Sequence, residues 1–189
     1  MRAGEALVDD AKNIERWEHG DFASYFDWVA ESVEILRRHG LTKHQFEMAI
    51  ETIGYNDGVE ATIREIHSRG IRTVIISGGF IEQARKAQID LGIYHSHAAV
   101  DLFWDREGRI IHCNILPSDY RGKVAYMRLM MREIGYRSEE CAFVGDGKND
   151  VHIASEIGLS FAFDAHPELQ RVATHSISEF SELLHHITN

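Results

Sequence analysis

A chain of 189 residues, 44% hydrophobic and 26% charged, is long enough for one moderate domain, or for a core domain with a small insert. Its net charge of −10 argues against a broad nucleic-acid surface, and no run approaches the length needed to span a membrane. Cys113 and Cys141 lie in strand-like contexts at unrelated spacing. That pattern predicts buried thiols in a reducing, cytoplasmic setting rather than a disulfide framework. The opening residues include Glu5, Asp9 and Asp10, which do not make a signal-peptide pattern. The histidines are scattered without metal-ligand spacing, and His185-His186 is predicted to be a solvated helix tail.

Residues 11–52 read as helical throughout. Phe22, Tyr25, Phe26, Val29, Val33 and Leu36 recur at three and four and form one apolar stripe. His39-Gly40 ends that helix and Thr42 caps the next, with Phe46, Met48, Ala49 and Ile50 inside it. After the connection Ile53–Gly58 the pattern changes to α/β alternation. A helix over Val59–Arg69 is followed by a buried, β-branched strand over Ile71–Ile76 and a helix over Phe80–Leu91. Ala98–Trp104 and Arg109–Cys113 flank Asp105-Arg-Glu-Gly108 as a hairpin. Gly122–Ile134 is a helix with Val124, Met127, Met130 and Met131 on its apolar side. A buried strand at Cys141–Val144, a helix from about Asn149 to Ile157, and strands at Leu159–Phe163 and His175–Ile177 follow, and a helix over Glu179–Ile187 closes the chain. This alternation predicts a Rossmann-like α/β fold, a parallel sheet flanked by helices with right-handed crossovers. Residues 1–55 stand apart as a helical cap, and 56–189 form the α/β core.

Three places carry chemistry. In Cys141-Ala-Phe-Val-Gly-Asp146-Gly-Lys-Asn149-Asp150, two carboxylates and an amide arrive where a strand ends, the edge at which open α/β sheets bind ligands. Asp146 and Asp150 repel unless a cation or proton lies between them, and Mg²⁺ takes oxygen ligands and often bridges to phosphate. An Asp-Gly turn followed by an Asn helix cap explains the same residues without a metal. Ser77-Gly78-Gly79 is read either as an anion site at a helix N-terminus or as a Ser cap in a tight turn. Lys123 opposes its own helix dipole, so it is placed either to neutralise a phosphoryl group or simply as an exposed lysine. Leu159–Pro167 reads as structural.

Taken together and in order, these segments resemble the haloacid dehalogenase superfamily of phosphohydrolases. Ser77 is similar to its second motif, Lys123 to its third, and Gly145-Asp146-Gly-Lys-Asn149-Asp150 to its fourth. Within the superfamily, Ile75-Ile-Ser-Gly-Gly-Phe80 and Gly158–Pro167 resemble phosphoserine phosphatases, as do the cap before Gly58 and the hairpin around Gly108. The likeness covers about residues 12–180. It implies a Mg²⁺-dependent phosphomonoester hydrolase that works through an aspartyl-phosphate on a small phosphorylated metabolite. By position, Asp146 would ligate Mg²⁺, and Asp150 would hold the metal's water shell or orient Lys123. Ser77 and the Gly78 amide would bind phosphoryl oxygens, Asn149 would reach the phosphate region, and Lys123 would neutralise charge.

The family's first motif, Asp-x-Asp-x-Thr, is not found. Asp9-Asp10 follows Ala6-Leu-Val8, but Ala11 and Asn13 stand where the pattern needs other residues. About 35–45 residues of the family pattern would lie upstream, judged from the lengths of a strand, a loop and a helix. That strand is central in the family, between Ile71–Ile76 and Cys141–Val144, so its neighbours must close up or leave two open edges. A destabilised, homo-oligomeric or rearranged chain without phosphatase turnover is the expectation. The cap also departs from the family: Glu18–Leu36 holds no Arg or Lys, and Asp27 stands near where a carboxylate-binding arginine is expected. Trp17, Phe22, Tyr25, Phe26 and Trp28 are read either as an apolar substrate wall or as cap core. The competing readings are a non-catalytic phosphate- or Mg²⁺-binding protein and a receiver-like domain. The second is disfavoured because a receiver's acidic pair comes early in the chain.

Overall fold

The computed structural model describes residues 3–116 and 121–187. Three helices come first: α1 (Ala3–Glu18), α2 (Tyr25–Arg38) and α3 (Lys43–Thr52). The expected continuous helix is broken at residues 19–24, where Gly20 takes a positive φ of 79° and Ser24 starts a new helix by accepting the Asp27 amide hydrogen. Thr42 caps α3 as expected, in a reciprocal box with Gln45. Val29 and Val33 are buried while Phe26 is exposed, and α3 buries Phe46 and Ile50 but leaves Met48 and Ala49 in water. Pro117, at the approach to the next helix, lies outside the described residues.

The remaining elements are α4 (Val59–Ser68), β1 (Val74–Phe80), α5 (Ile81–Leu91), β2 (His95–Trp104), β3 (Ile110–Ile115), α6 (Arg121–Ile134), β4 (Ala142–Gly145), α7 (Val151–Ala154), β5 (Leu159–Phe163), α8 (Pro167–Val172) and β6 (His175–Ile177). Among the described residues the strands form two three-stranded ladders, β1-β2-β3 and β4-β5-β6. Pairing is parallel except between β2 and β3. The long helix expected after Asn149 is one 3-10 turn, Lys148–Asp150, followed by the short α7, and the closing helix is the 3-10 segment Phe180–His185. His185 and His186 are both exposed, as expected of a solvated tail, and the His186 ring also packs on His175 and Phe161.

The two ladders share both covering layers. Strand alternation sends Ile75 toward α4 and the C-terminal segment, where Ile63, Ile66, Phe180 and Leu184 gather, and sends Ile76 the other way, onto Val124 and Met127 of α6. β4 divides in the same way: Phe143 joins the α6 cluster, and Val144 joins Phe161, Ile177 and Leu183 beneath the C-terminal segment. Arg69 fastens that segment by donating to the carbonyls of Leu184 (3.2 Å) and Ile187 (2.8 Å). Helix α6 therefore lies over both β1 and β4, yet those two strands end their ladders and do not pair with each other. Of the two outcomes foreseen from sequence, the one observed is two open edges.

Burial follows from this. β2 and β5 carry fully buried residues, Ala98, Ala99 and Phe161 among them, whereas every residue of β1 is half-buried and Ala142 of β4 is exposed. Both strands were expected to be buried. Each lacks a neighbour on one side, so water reaches their open edges.

Candidate active site

The candidate residues lie where β1 and β4 end and α6 begins. β1 does not stop at Ile76. It runs through Ser77-Gly78-Gly79 to Phe80, with its register against β2 shifting between Ser77 and Phe80. Ser77 and Gly78 thus sit in a bulged strand end instead of a helix-capping loop. The Ser77 hydroxyl accepts the Gly79 amide hydrogen at 3.0 Å. Ile76, one residue earlier, packs beside Val124, the neighbour of Lys123, so β1 delivers Ser77 to the start of α6.

Lys123 is not an exposed lysine: it is 6% exposed, and its ammonium donates to Asp150 Oδ1 at 2.6 Å. Asp150 is 3% exposed and commits its other oxygen to the amides of Asp146 (3.2 Å) and Gly147 (3.0 Å). Of the two roles foreseen for Asp150, the geometry favours orienting Lys123, because both of its oxygens are taken within the protein. Gly145 makes room for it: a Cβ there would lie 2.5 Å from Asp150 Oδ2. Gly147 is tight for a related reason, since Asn149 folds its Oδ1 back over that residue.

Asp146 differs from Asp150. It is exposed, and among the described residues its carboxylate has no hydrogen-bond or ion-pair partner. It lines a cavity of about 690 Å³ together with Asp57, Asp164 and Glu179. This free, hard oxygen donor in acidic surroundings suits Mg²⁺. Among the described residues no three His, Cys, Asp or Glu side chains converge as a metal cage. Sequence reasoning read the turn after β5 as structural and assigned it no part in the site. His166 donates its amide to the Asp146 carbonyl at 2.8 Å, and Asp164 adopts a positive φ of 43° at the cavity wall. The signal was present in Asp164-Ala-His-Pro167, a turn leaving a strand at the same edge.

The first helices close over this edge. Tyr25 donates its hydroxyl to the Gly78 carbonyl at 2.9 Å, and Phe46 meets Phe80 edge-on at 5.1 Å. The same helices pack on the β2–β3 hairpin, where Val29, Val33, Phe46 and Ile50 join Ala99, Val100, Leu102 and Ile110.

The sequence profile of the haloacid dehalogenase-like hydrolases matches residues 5–158. The chain is 29% identical over 144 residues to the phosphoserine phosphatase of Streptococcus thermophilus, covering 74% of this chain and 65% of that one. To the phosphoserine phosphatase of Methanocaldococcus jannaschii it is 29% identical over 130 residues, covering 67% and 60%. It therefore spans a little under two thirds of the length of these relatives. Among solved structures it is similar to a substrate-bound phosphoserine phosphatase complex, with TM-score 0.85, 27% identity and coverage of 98% of this chain and 89% of that one. A phospho-aspartyl intermediate analogue of phosphoserine phosphatase is similar at TM-score 0.84 and 26% identity, with the same coverage. With its profile spanning most of the sequence, and its α/β layers matching those structures, the chain belongs to the haloacid dehalogenase-like hydrolases.

Proposed function

We propose that this chain carries the cap and the phosphate-handling edge of a phosphoserine phosphatase-like, Mg²⁺-dependent phosphomonoester hydrolase of the cytoplasm. The observation that carries this reading is the buried Lys123–Asp150 pair at 2.6 Å, set beside a free Asp146 carboxylate at the end of β4. A buried ammonium held by a carboxylate is costly to build unless the charge is used. Asp150 fixes the Lys123 ammonium in one direction, Ser77 and the Gly78 amide offer donors to phosphoryl oxygens, and Asn149 borders the same loop. Asp146 would hold Mg²⁺, which when bound offsets the charge of an incoming phosphomonoester. Residues 1–55 act as the cap over residues 56–189, and Tyr25 ties the two together at Gly78.

The nucleophile of the aspartyl-phosphate route belongs, on this reading, to an additional strand seated between the open edges of β1 and β4. Without that strand the 189-residue chain binds phosphate but does not turn over. Calorimetric titration with inorganic phosphate in Mg²⁺ tests the binding. Millimolar or tighter binding that is lost in Lys123→Met supports the reading, and no binding refutes it. Incubation with p-nitrophenyl phosphate and Mg²⁺ tests the turnover. Robust hydrolysis abolished by Asp146→Asn would overturn the placement of the nucleophile outside this chain. A non-catalytic phosphate-binding protein is the second reading. It is favoured if the chain stays silent after an Asp-x-Asp-x-Thr strand is supplied.

A further inference from the structure

The cap side of the site has a chemistry that its relatives' names do not specify. Tyr25 reaches across 53 residues to the Gly78 carbonyl, so its ring stands one residue from Ser77. Trp28 lies 5.7 Å from that ring, Trp17 lies 6.2 Å from it, and the two indoles stack at 5.1 Å. All three side chains are half-buried, leaving aromatic surface open to water. Their placement is fixed from behind. Asn13, 2% exposed, donates to Ser32 Oγ at 2.8 Å, and Ser32 donates to the Trp28 carbonyl at 3.1 Å. Among the described residues the buried Asn13 Oδ1 and Trp28 Nε1 have no hydrogen-bond partner.

The span that carries Tyr25 and Trp28 is acidic. Glu18–Leu36 contains Glu18, Asp21, Asp27, Glu31 and Glu34 and no Lys or Arg. The nearest cations along the chain are already engaged: Arg16 with Asp21 and the Phe22 ring, Arg37 with Glu34, and Arg38 with Glu31. A leaving group bearing a carboxylate would find no unpaired cation on this span, where the carboxylates of Glu18 and Asp27 have no ion-pair partner among the described residues. One bearing an ammonium would meet aromatic faces, which attract cations, within a field that concentrates them.

We infer that Trp17, Tyr25 and Trp28 form a leaving-group wall selective for a phosphomonoester whose alcohol carries an ammonium and no carboxylate. This rests on the phosphate-binding reading above. The test is calorimetric titration of the chain in Mg²⁺ with phosphocholine, phosphoethanolamine, phosphoserine, phenyl phosphate and inorganic phosphate. Phosphoethanolamine and phosphoserine differ only by the carboxylate, which makes them the decisive pair. Phosphocholine and phosphoethanolamine are expected to bind at least about tenfold tighter than phosphoserine. Trp28→Leu is expected to erase the advantage of phosphocholine over inorganic phosphate. Ser32→Arg, which puts a cation one turn from Trp28, is expected to shift preference toward phosphoserine and keeps the test open should Trp28→Leu not fold. Phosphoserine binding as tightly as phosphoethanolamine, phenyl phosphate outcompeting phosphocholine, or an unchanged ligand order in folded Trp28→Leu or Ser32→Arg each overturns the inference. Those outcomes leave the phosphate site standing if inorganic phosphate still binds. If inorganic phosphate does not bind, both fall.

Discussion

Substituting Asp150 by Asn keeps the shape of the side chain and removes its charge. Lys123 is then left 6% exposed with no anion 2.6 Å away, and only one oxygen remains to serve the amides of Asp146 and Gly147. Removing one partner of a buried ion pair costs roughly 3–5 kcal/mol, because the other charge stays desolvated. Against a typical total stability of about 5–15 kcal/mol this is a large fraction. In a domain of this size each kcal/mol shifts the melting temperature by about 2–4 °C, so Asp150→Asn is expected to melt about 6–20 °C lower. Replacing both residues, as Lys123→Met with Asp150→Asn, removes the stranded ammonium and should recover most of the loss. A urea-denaturation cycle over the wild type, both single variants and the double variant gives the coupling energy, expected to exceed about 2 kcal/mol. Single variants each within about 0.5 kcal/mol of wild type, with no coupling, would refute the view that this pair is buried and mutually dependent.

Two further outcomes follow from neighbouring geometry. Gly145→Ala places a methyl 2.5 Å from Asp150 Oδ2 and 2.8 Å from the Phe143 ring. It is expected to lower stability by about 1–3 kcal/mol and to weaken phosphate binding, as read by urea melts and calorimetry; wild-type values for both would be incompatible with the close approach. Burial raises the Glu82 carboxyl above its ordinary value of 4.5, and the charges of Asp101 and Glu47 add to the rise while Arg85 opposes it. A raised acid binds its proton more readily in the folded state, so its contribution to stability is lost as pH rises from 4.5 through the folded value. Glu82→Gln should therefore stabilise the protein at pH 7 but not below pH 4.5, and thermal melts showing equal effects at both pH values would contradict this.

The parts of the fold that were legible in sequence are those where one local signal decides. β5 was bounded by its apolar run, α3 by the Thr42 cap, and α6 by the spacing of Val124 and Met127. Errors arose where tertiary contacts override local preference. Two glycines after Ser77 suggested a loop, but pairing with β2 draws them into β1 through a bulge. The hairpin was recognised, yet residues 95–97, which pair with β1 in parallel, carry His95 and His97 and did not read as strand. At the site, the types and order of Ser77, Lys123, Asp146 and Asp150 were readable. Which carboxylate was free was not, because the partners of Asp150 come from 27 residues away and from backbone amides. Tyr25 was read as part of an apolar stripe and as either substrate wall or cap core, but its bond to Gly78 was not, since nothing local marks a hydroxyl that meets a carbonyl 53 residues later.

β2 is one strand from His95 to Trp104 that exchanges neighbours midway, lying along β1 first and then against β3. It works as a fixed post: its outer half cannot tilt without tearing the ladder at its inner half. Helices α2 and α3 lean on that post through Val33, Phe46 and Leu102, so their footing is set by the sheet itself. Tyr25, gripping the Gly78 carbonyl, adds a second point at which the sheet holds α2.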